Sequence, residues 1–269
     1  MNLRRFSPSM GWRAFWSEIV IVVLGVVIAL AANEAVQEWS WRNKVADAEA
    51  RLQGDIAWTF LWAAEKYATQ PCVDAQLAAL SRNVLESGQT LAPASVMTSS
   101  NVSYVVRSPN RPYRFPVWGA LVGDGTASHF APQRQAFLGR ISDAMDQSRI
   151  SEAEARRLMG RLLVMRDPIA LDAVVRADLL TQINELRTLT EFEALNALQR
   201  MRVIVDAGSA PKAGMVDAFP NGAATNATAA DSSRTVQLCK AKGLPLADWH
   251  DLEKASSGSA LFPSAGLAK

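Results

Sequence analysis

The sequence predicts an all-α protein. An N-terminal transmembrane helix is expected to continue into an extracytoplasmic helical bundle with two long antiparallel helices and a flexible C-terminal tail. Three features carry this expectation. An uncharged apolar run occupies Ile19–Ala32, no proline stands between Pro8 and Pro71, and neither Pro nor Gly interrupts the stretch from Ile169 to about Asp206. The implied organisation is a short cytoplasmic tail at 1–17, an anchor at 18–38, a helical domain at 39–206 and a linker with a Cys-tethered tail at 207–269.

Composition narrows the class. The 269 residues include 28 Lys or Arg and 26 Asp or Glu, a net charge of +2, and 49% are hydrophobic. That length allows one or two domains with a sizeable core. The near-neutral balance argues against a nucleic-acid binder, which would show a basic stripe. Two Cys and two His exclude a Cys-rich zinc module and a disulfide-dense miniprotein.

The apolar run Ile19–Ala32 has 14 residues, whereas a membrane span needs about 20. It also suits a signal peptide, with Arg4, Arg5 and Arg13 as the basic region and Ala29-Leu30-Ala31 as a small-x-small cleavage site. The flanks favour an uncleaved anchor. Trp12 and Trp16 precede the run, and Trp39 and Trp41 follow it. As a helix, Trp16 to Trp39 covers about 34 Å, close to the hydrocarbon thickness of roughly 30 Å. Tryptophan at both rims is what an aromatic belt requires, and a cleaved peptide has no use for the second pair. The tail carries only Arg charges, and Glu34 and Glu38 open the following segment, so the N-terminus is expected inside and the bulk of the chain outside the cytoplasm. Arg4-Arg5-Phe6 lacks the flanking residues of a twin-arginine signal.

Glu18 lies at the first turn of the span, where a carboxylate reaches water and meets the positive end of the helix dipole. Gly25, Ala29 and Ala32 place small residues on one face, a pattern that lets transmembrane helices pack and supports a homodimer. The string of Glu18, six apolar residues, Gly25, Ala29-Leu30 and Asn33 resembles the opening of a group of bacterial single-pass inner-membrane proteins with an extracytoplasmic helical domain. Similarity extends to Pro116-Val117-Trp118, Gly125, His129-Phe130 and Pro71-Cys72-Val73-Asp74, while Ala35 departs from the Trp of that family. The resemblance implies inner-membrane attachment and a periplasmic domain, and carries over no catalytic residues.

Beyond the anchor, Val45, Ala48, Leu52, Ile56, Phe60, Ala63 and Tyr67 recur at three- and four-residue steps, one face of a helix. Pro71 near a first turn, with Val73, Leu77, Leu80 and Val84, predicts a second helix ending at Ser87-Gly88. A short helix is expected at Trp118–Val122, closed by Gly123-Asp124-Gly125. Pro132 opens another, with Phe137, Ile141 and Met145 inward, and Ser151 with Glu154 reads as a capping box for the next. Asp167-Pro168 reads as the start of the last long helix. Its stripe runs through Leu171, Val175, Leu179, Ile183, Leu186 and Leu189, then Leu195, Leu198 and Val205. Gly208 to about Ser233 lacks periodicity and reads as a linker.

Residues 87–117 form a long, proline-punctuated connection with one short strand signal at Val102, Tyr104 and Val106. Tyr104, Arg107, Arg111, Tyr113 and Arg114 fall within it, a set suited to an anion or a glycan. The alternative is a surface loop with solvated arginines. Outside a reducing cytoplasm the two cysteines predict a Cys72–Cys239 disulfide. Closing so long a loop is worth on the order of 5 kcal/mol as an upper figure. Two free thiols are the alternative.

Catalytic signals are weak. Asp124, Ser128 and His129 invite a triad reading, but adjacency in sequence does not aim an imidazole at a hydroxyl. Asp248-Trp249-His250-Asp251 offers metal-ligand types beside a flexible tail, where a polar surface is the better reading. No Gly-rich phosphate loop, HExxH or CxxC occurs. Glu152 with Glu154, and Glu191 with Glu193, diverge on helices. No cofactor or metal is expected. Asn101-Val102-Ser103 and Asn226-Ala227-Thr228 match the glycosylation sequon, which matters only in a eukaryotic secretory pathway. The expected role is therefore interaction, scaffolding or sensing with other envelope proteins, and the runner-up is an envelope enzyme or anion-binding protein using 87–117.

Overall fold

The computed structural model describes residues 12–99, 102–211 and 235–247. Among these residues it is 78% helical with few strands, so the described chain is mainly α. Helix α1 runs unbroken over Trp12–Glu86, 75 residues, about 112 Å at 1.5 Å per residue. Its N-terminal third is apolar and exposed from Val20 to Leu30. It is long and apolar enough to cross a membrane, and fits a transmembrane or signal anchor.

The second helix expected at Pro71 does not exist as a separate element, because Pro71 lies inside α1. Proline removes one helical donor and crowds the carbonyl four residues back. Local packing offsets this: Thr69 before it and Cys72, Val73 and Leu77 after it are buried. The neighbouring Ala68 carbonyl also accepts from the Ala247 N–H of the tail at 2.8 Å. The end of α1 is covered by Arg176, which donates to the Ser87 and Gly88 carbonyls at 2.9 Å each. A cation at a helix C-terminus satisfies carbonyls that lack helical partners.

Short strands β1 (Thr90–Leu91), β2 (Met97–Ser99) and β3 (Val102–Tyr104) follow, and β2 pairs antiparallel with β3. Helix α2 spans Pro116–Gly123, capped from α1 by the Asp55 carboxylate, which accepts from Val117 N–H at 3.1 Å. Gly125 sits at φ 81°, which opens the turn into the 3-10 segment Thr126–His129.

Helix α3 is continuous over Pro132–Leu162. The start expected at Ser151 is overturned: Ser151 is buried in mid-helix, and Glu154 pairs with Arg157 at 2.8 Å on the surface. Nor does Asp167-Pro168 open the last helix. A 3-10 turn at Leu163–Arg166 leads into β4 (Ile169–Ala170), which pairs antiparallel with β1. Helix α4 then spans Ala173–Asp206, with Asp172 accepting from Val175 N–H at 2.8 Å as its cap. Within α4 the buried stripe passes through Ala194, Ala197, Met201 and Ile204, and leaves Leu195 and Val205 exposed.

The direction of α4 opposes that of α1. Arg176 meets the end of α1, Arg187 pairs with Asp74 at 2.9 Å, and Ala197, Met201 and Ile204 join Ile56 and Phe60 in one cluster. Two apolar clusters result. The first joins Ala48–Ala64 of α1 to α2, to Phe137, Ile141 and Met145, and to the C-terminal part of α4. The second joins Val73–Val84 to Ala155–Met165 and Leu179–Leu186, with Leu91, Val105 and Val106 from the connection.

Residues 235–241 are helical, and Val236 and Cys239 are buried. Cys239 is bonded to Cys72, a link across 167 positions. The basic Arg4 and Arg5, the sequon asparagines Asn101 and Asn226, most of the expected linker and the His250 cluster lie outside the described residues. Replacing Cys72 with Ser should lower unfolding stability by about 2–5 kcal/mol and open residues 235–247 to protease. Thermal melts with limited proteolysis check this, and an unchanged melt would show that the link adds nothing.

Candidate functional site: a buried polar layer between two apolar clusters

Between the two clusters, every surrounding element contributes polar side chains. Helix α1 brings Glu65, Lys66 and Thr69, α3 brings Ser148, Ser151 and Glu152, and α4 brings Thr190, Glu193 and Arg200, all buried. The connection before α2 adds Ser108, Arg111 and Tyr113, also buried. Helical periodicity explains the convergence, because these positions continue the inward stripes that carry apolar residues on either side.

Two ion pairs organise the layer. Arg111 grips Glu65 with both arms, Nε to Oε2 at 2.7 Å and Nη2 to Oε1 at 3.0 Å. Lys66 Nζ donates to Glu152 Oε2 at 3.1 Å and to Ser108 Oγ at 3.3 Å. Arg200 donates to Ser148 Oγ and lies 5.9 Å from the Tyr113 ring centre. Three carboxyl groups, Glu65, Glu152 and Glu193, share the layer with three cations, Lys66, Arg111 and Arg200.

Dry surroundings set the proton affinities. Burial pushes the Glu65 carboxyl up to about 7 against the pull of Arg111. Burial alone would weaken the hold of Lys66 on its proton, but Glu152 and its neighbours outweigh it and the net shift is upward. Tyr113 is pushed up to about 12 by burial, and burial draws Arg200 down. Tyr113 also has a left-handed backbone at φ 40°, unusual for a bulky residue. Trp62 holds its ring edge-on at 6.1 Å. Tyr113 Oη, Glu152 Oε1 and Arg200 Nε are buried without a hydrogen-bond partner.

The five residues anticipated as one binding set are dispersed. Arg111 and Tyr113 belong to the layer, and Arg114 is exposed. Arg107 stacks over Tyr104 at 5.4 Å, and its backbone N–H donates to Gln76 Oε1 at 2.8 Å. The Leu171 and Ala94 N–H groups also donate to Gln89 and Met165 carbonyls at 2.8 Å, so the connection is stitched to the bundle. Gly25, Ala29 and Ala32 are exposed on α1, and a Cβ at Gly25 would meet nothing within 4 Å.

The triad candidates serve the turn instead. His129 stacks on Trp41 at 3.8 Å, Ser128 Oγ donates to the Gly125 carbonyl at 2.8 Å, and Asp124 accepts from Thr126 N–H at 2.9 Å. Among the described residues no group of three or more His, Cys, Asp or Glu side chains could hold a metal. Glu65, Lys66, Ser148, Glu152, Glu193 and Arg200 were not anticipated as a set. Their signal was polar residues at inward positions of periodic stripes.

Lys66→Met should cost about 3–5 kcal/mol, because it leaves Glu152 buried and unpaired. Adding Glu152→Leu should recover most of that loss in denaturant unfolding. A single variant as stable as the parent would show that the pair is not closed. Glu65 binds its proton more tightly folded than unfolded, so its stabilising contribution is full below pH 4.5 and is lost as pH rises toward about 7. Glu65→Gln should flatten that part of the stability–pH curve, and an unaltered slope would assign it elsewhere. No protein-family model, no curated protein and no solved structure matches this chain.

Proposed function

We propose that this protein is a single-span, membrane-anchored interaction module of the bacterial cell envelope, with its N-terminus in the cytoplasm and its helical domain in the periplasm. One observation carries the reading. The exposed apolar segment and the spine of the core are the same uninterrupted helix, α1. Val20–Leu30 finds no cover among the described residues, while Ala48, Leu52 and Ile56, further along the same helix, are fully buried. A cleaved signal peptide has no need of helical continuity with the domain it precedes.

The aromatic rims support the same reading. Trp12, Phe15 and Trp16 cluster at one end with ring centres 5.9–6.3 Å apart. At the other, Trp39 is exposed and Trp41 is docked on His129. Such placement seats amphipathic rings at a headgroup level. The buried disulfide fits an oxidising compartment. The domain held there presents a scaffold or sensing surface to envelope proteins, and the small-residue face of the span suits a second copy.

Protease added to spheroplasts should digest the domain and spare the span, and alkaline carbonate should leave the protein in the membrane pellet. Digestion only after lysis would place the domain on the cytoplasmic side. Release by carbonate would exclude an integral anchor.

A further inference from the structure

On the outer side of the polar layer, α3 and α4 part to leave a cleft of about 240 Å³. Its lining includes Arg140, Gln147, Asn196 and Arg200, with Ile141 and Val203 as apolar wall, and no carboxylate. Arg140 is exposed and makes no hydrogen bond or ion pair among the described residues, although Asp143 stands one turn along α3. Arg200 is 4% exposed. Its hydrogen bond to Ser148 leaves Nε buried without a partner.

The electrostatics are uneven. Glu193 is the carboxylate that acts on Arg200, and it is shared with Lys66. A buried guanidinium with a divided counter-charge and a second, unpaired guanidinium at the rim leaves the cleft positive. Buried cations that lack full pairing favour an incoming anion, and Arg with amide donors suits planar oxyanions. The apolar wall favours an anion that also carries a hydrocarbon body.

We infer that the α3–α4 cleft binds a small organic carboxylate. The carboxylate faces Arg140 and the Gln147 and Asn196 amides, with Arg200 beneath supplying field, and the apolar body rests on Ile141 and Val203. This site is distinct from the connection at 87–117. It gives the domain a small-molecule input on the helices that carry Ser148, Glu193 and Arg200 of the layer.

Calorimetric titration of the full chain in detergent micelles with benzoate tests this, with benzamide as the neutral isostere. Benzoate should bind saturably and benzamide should not. Arg140→Ala should weaken benzoate at least about tenfold, the size expected for losing a charged hydrogen-bond partner. Arg140 is exposed, so the variant should melt as the parent does without ligand. Inorganic phosphate at equal ionic strength should bind more weakly than benzoate. Equal binding of benzoate and benzamide, unchanged affinity in Arg140→Ala, or phosphate as tight as benzoate would each overturn the assignment.

Discussion

The fold depends on a constraint that apolar packing alone does not impose: six buried ionisable side chains must meet in one layer. Removing a charge from water costs several kcal/mol, and only close, well-hydrogen-bonded partners offset it. Arg111 meets Glu65 with two bonds, and Lys66 meets Glu152 with Ser108 as a second acceptor. These contacts join α1 to α3 and to the connection before α2. A shift of one residue in the register of any helix would rotate a charge toward an apolar cluster. The clusters above and below provide most of the hydrophobic driving force, yet either would tolerate small slips that the layer does not.

The same constraint explains why α1 survives a proline. Glu65, Lys66 and Thr69 lie just before Pro71, and Cys72 and Val73 just after it, all buried. Breaking the helix there would displace the layer on one side or the disulfide on the other. The tail reinforces the point from outside, through the Cys72–Cys239 bond and the Ala247–Ala68 hydrogen bond. A local propensity cost of about 3 kcal/mol is outweighed by contacts that exist only if the helix continues.

Much of the helical fold was legible because apolar period dominates long segments. The spine from Val45 to Tyr67, the inward Phe137, Ile141 and Met145, and the stripe from Leu179 to Leu186 needed no tertiary information. The start and stop signals failed where tertiary contacts overrode them. Pro71 and the Ser151–Glu154 spacing are local cues, and burial of their neighbours decided otherwise. The cysteine pairing was legible because two cysteines leave one choice. The polar layer was legible only in part, since Ser148 and Glu152 fall at core steps between Met145 and Ala155, as do Thr190 and Glu193 between Leu186 and Ala197. Which of these would meet, and that Arg111 and Tyr113 would enter from a connection, depends on three-dimensional closure. The left-handed backbone of Tyr113 has no sequence signature, because glycine is the residue that ordinarily advertises it.

A helix shared between an apolar segment long enough to cross a membrane and a charged layer limits how the domain can respond to force or binding. Sliding α1 by one turn, about 5.4 Å, would separate Lys66 from Glu152 and Glu65 from Arg111 while all four stay dry. Leaving even one such charge unpaired costs about 3–5 kcal/mol, comparable to the total stability of a marginal domain. Internal sliding is therefore closed to this fold, and displacement at the apolar end of α1 must move the bundle as one body. Movement within the domain is cheaper at exposed positions, such as the rim of the α3–α4 cleft at Arg140. A ligand in the α3–α4 cleft acts on the layer through Arg200, which donates to Ser148 of α3.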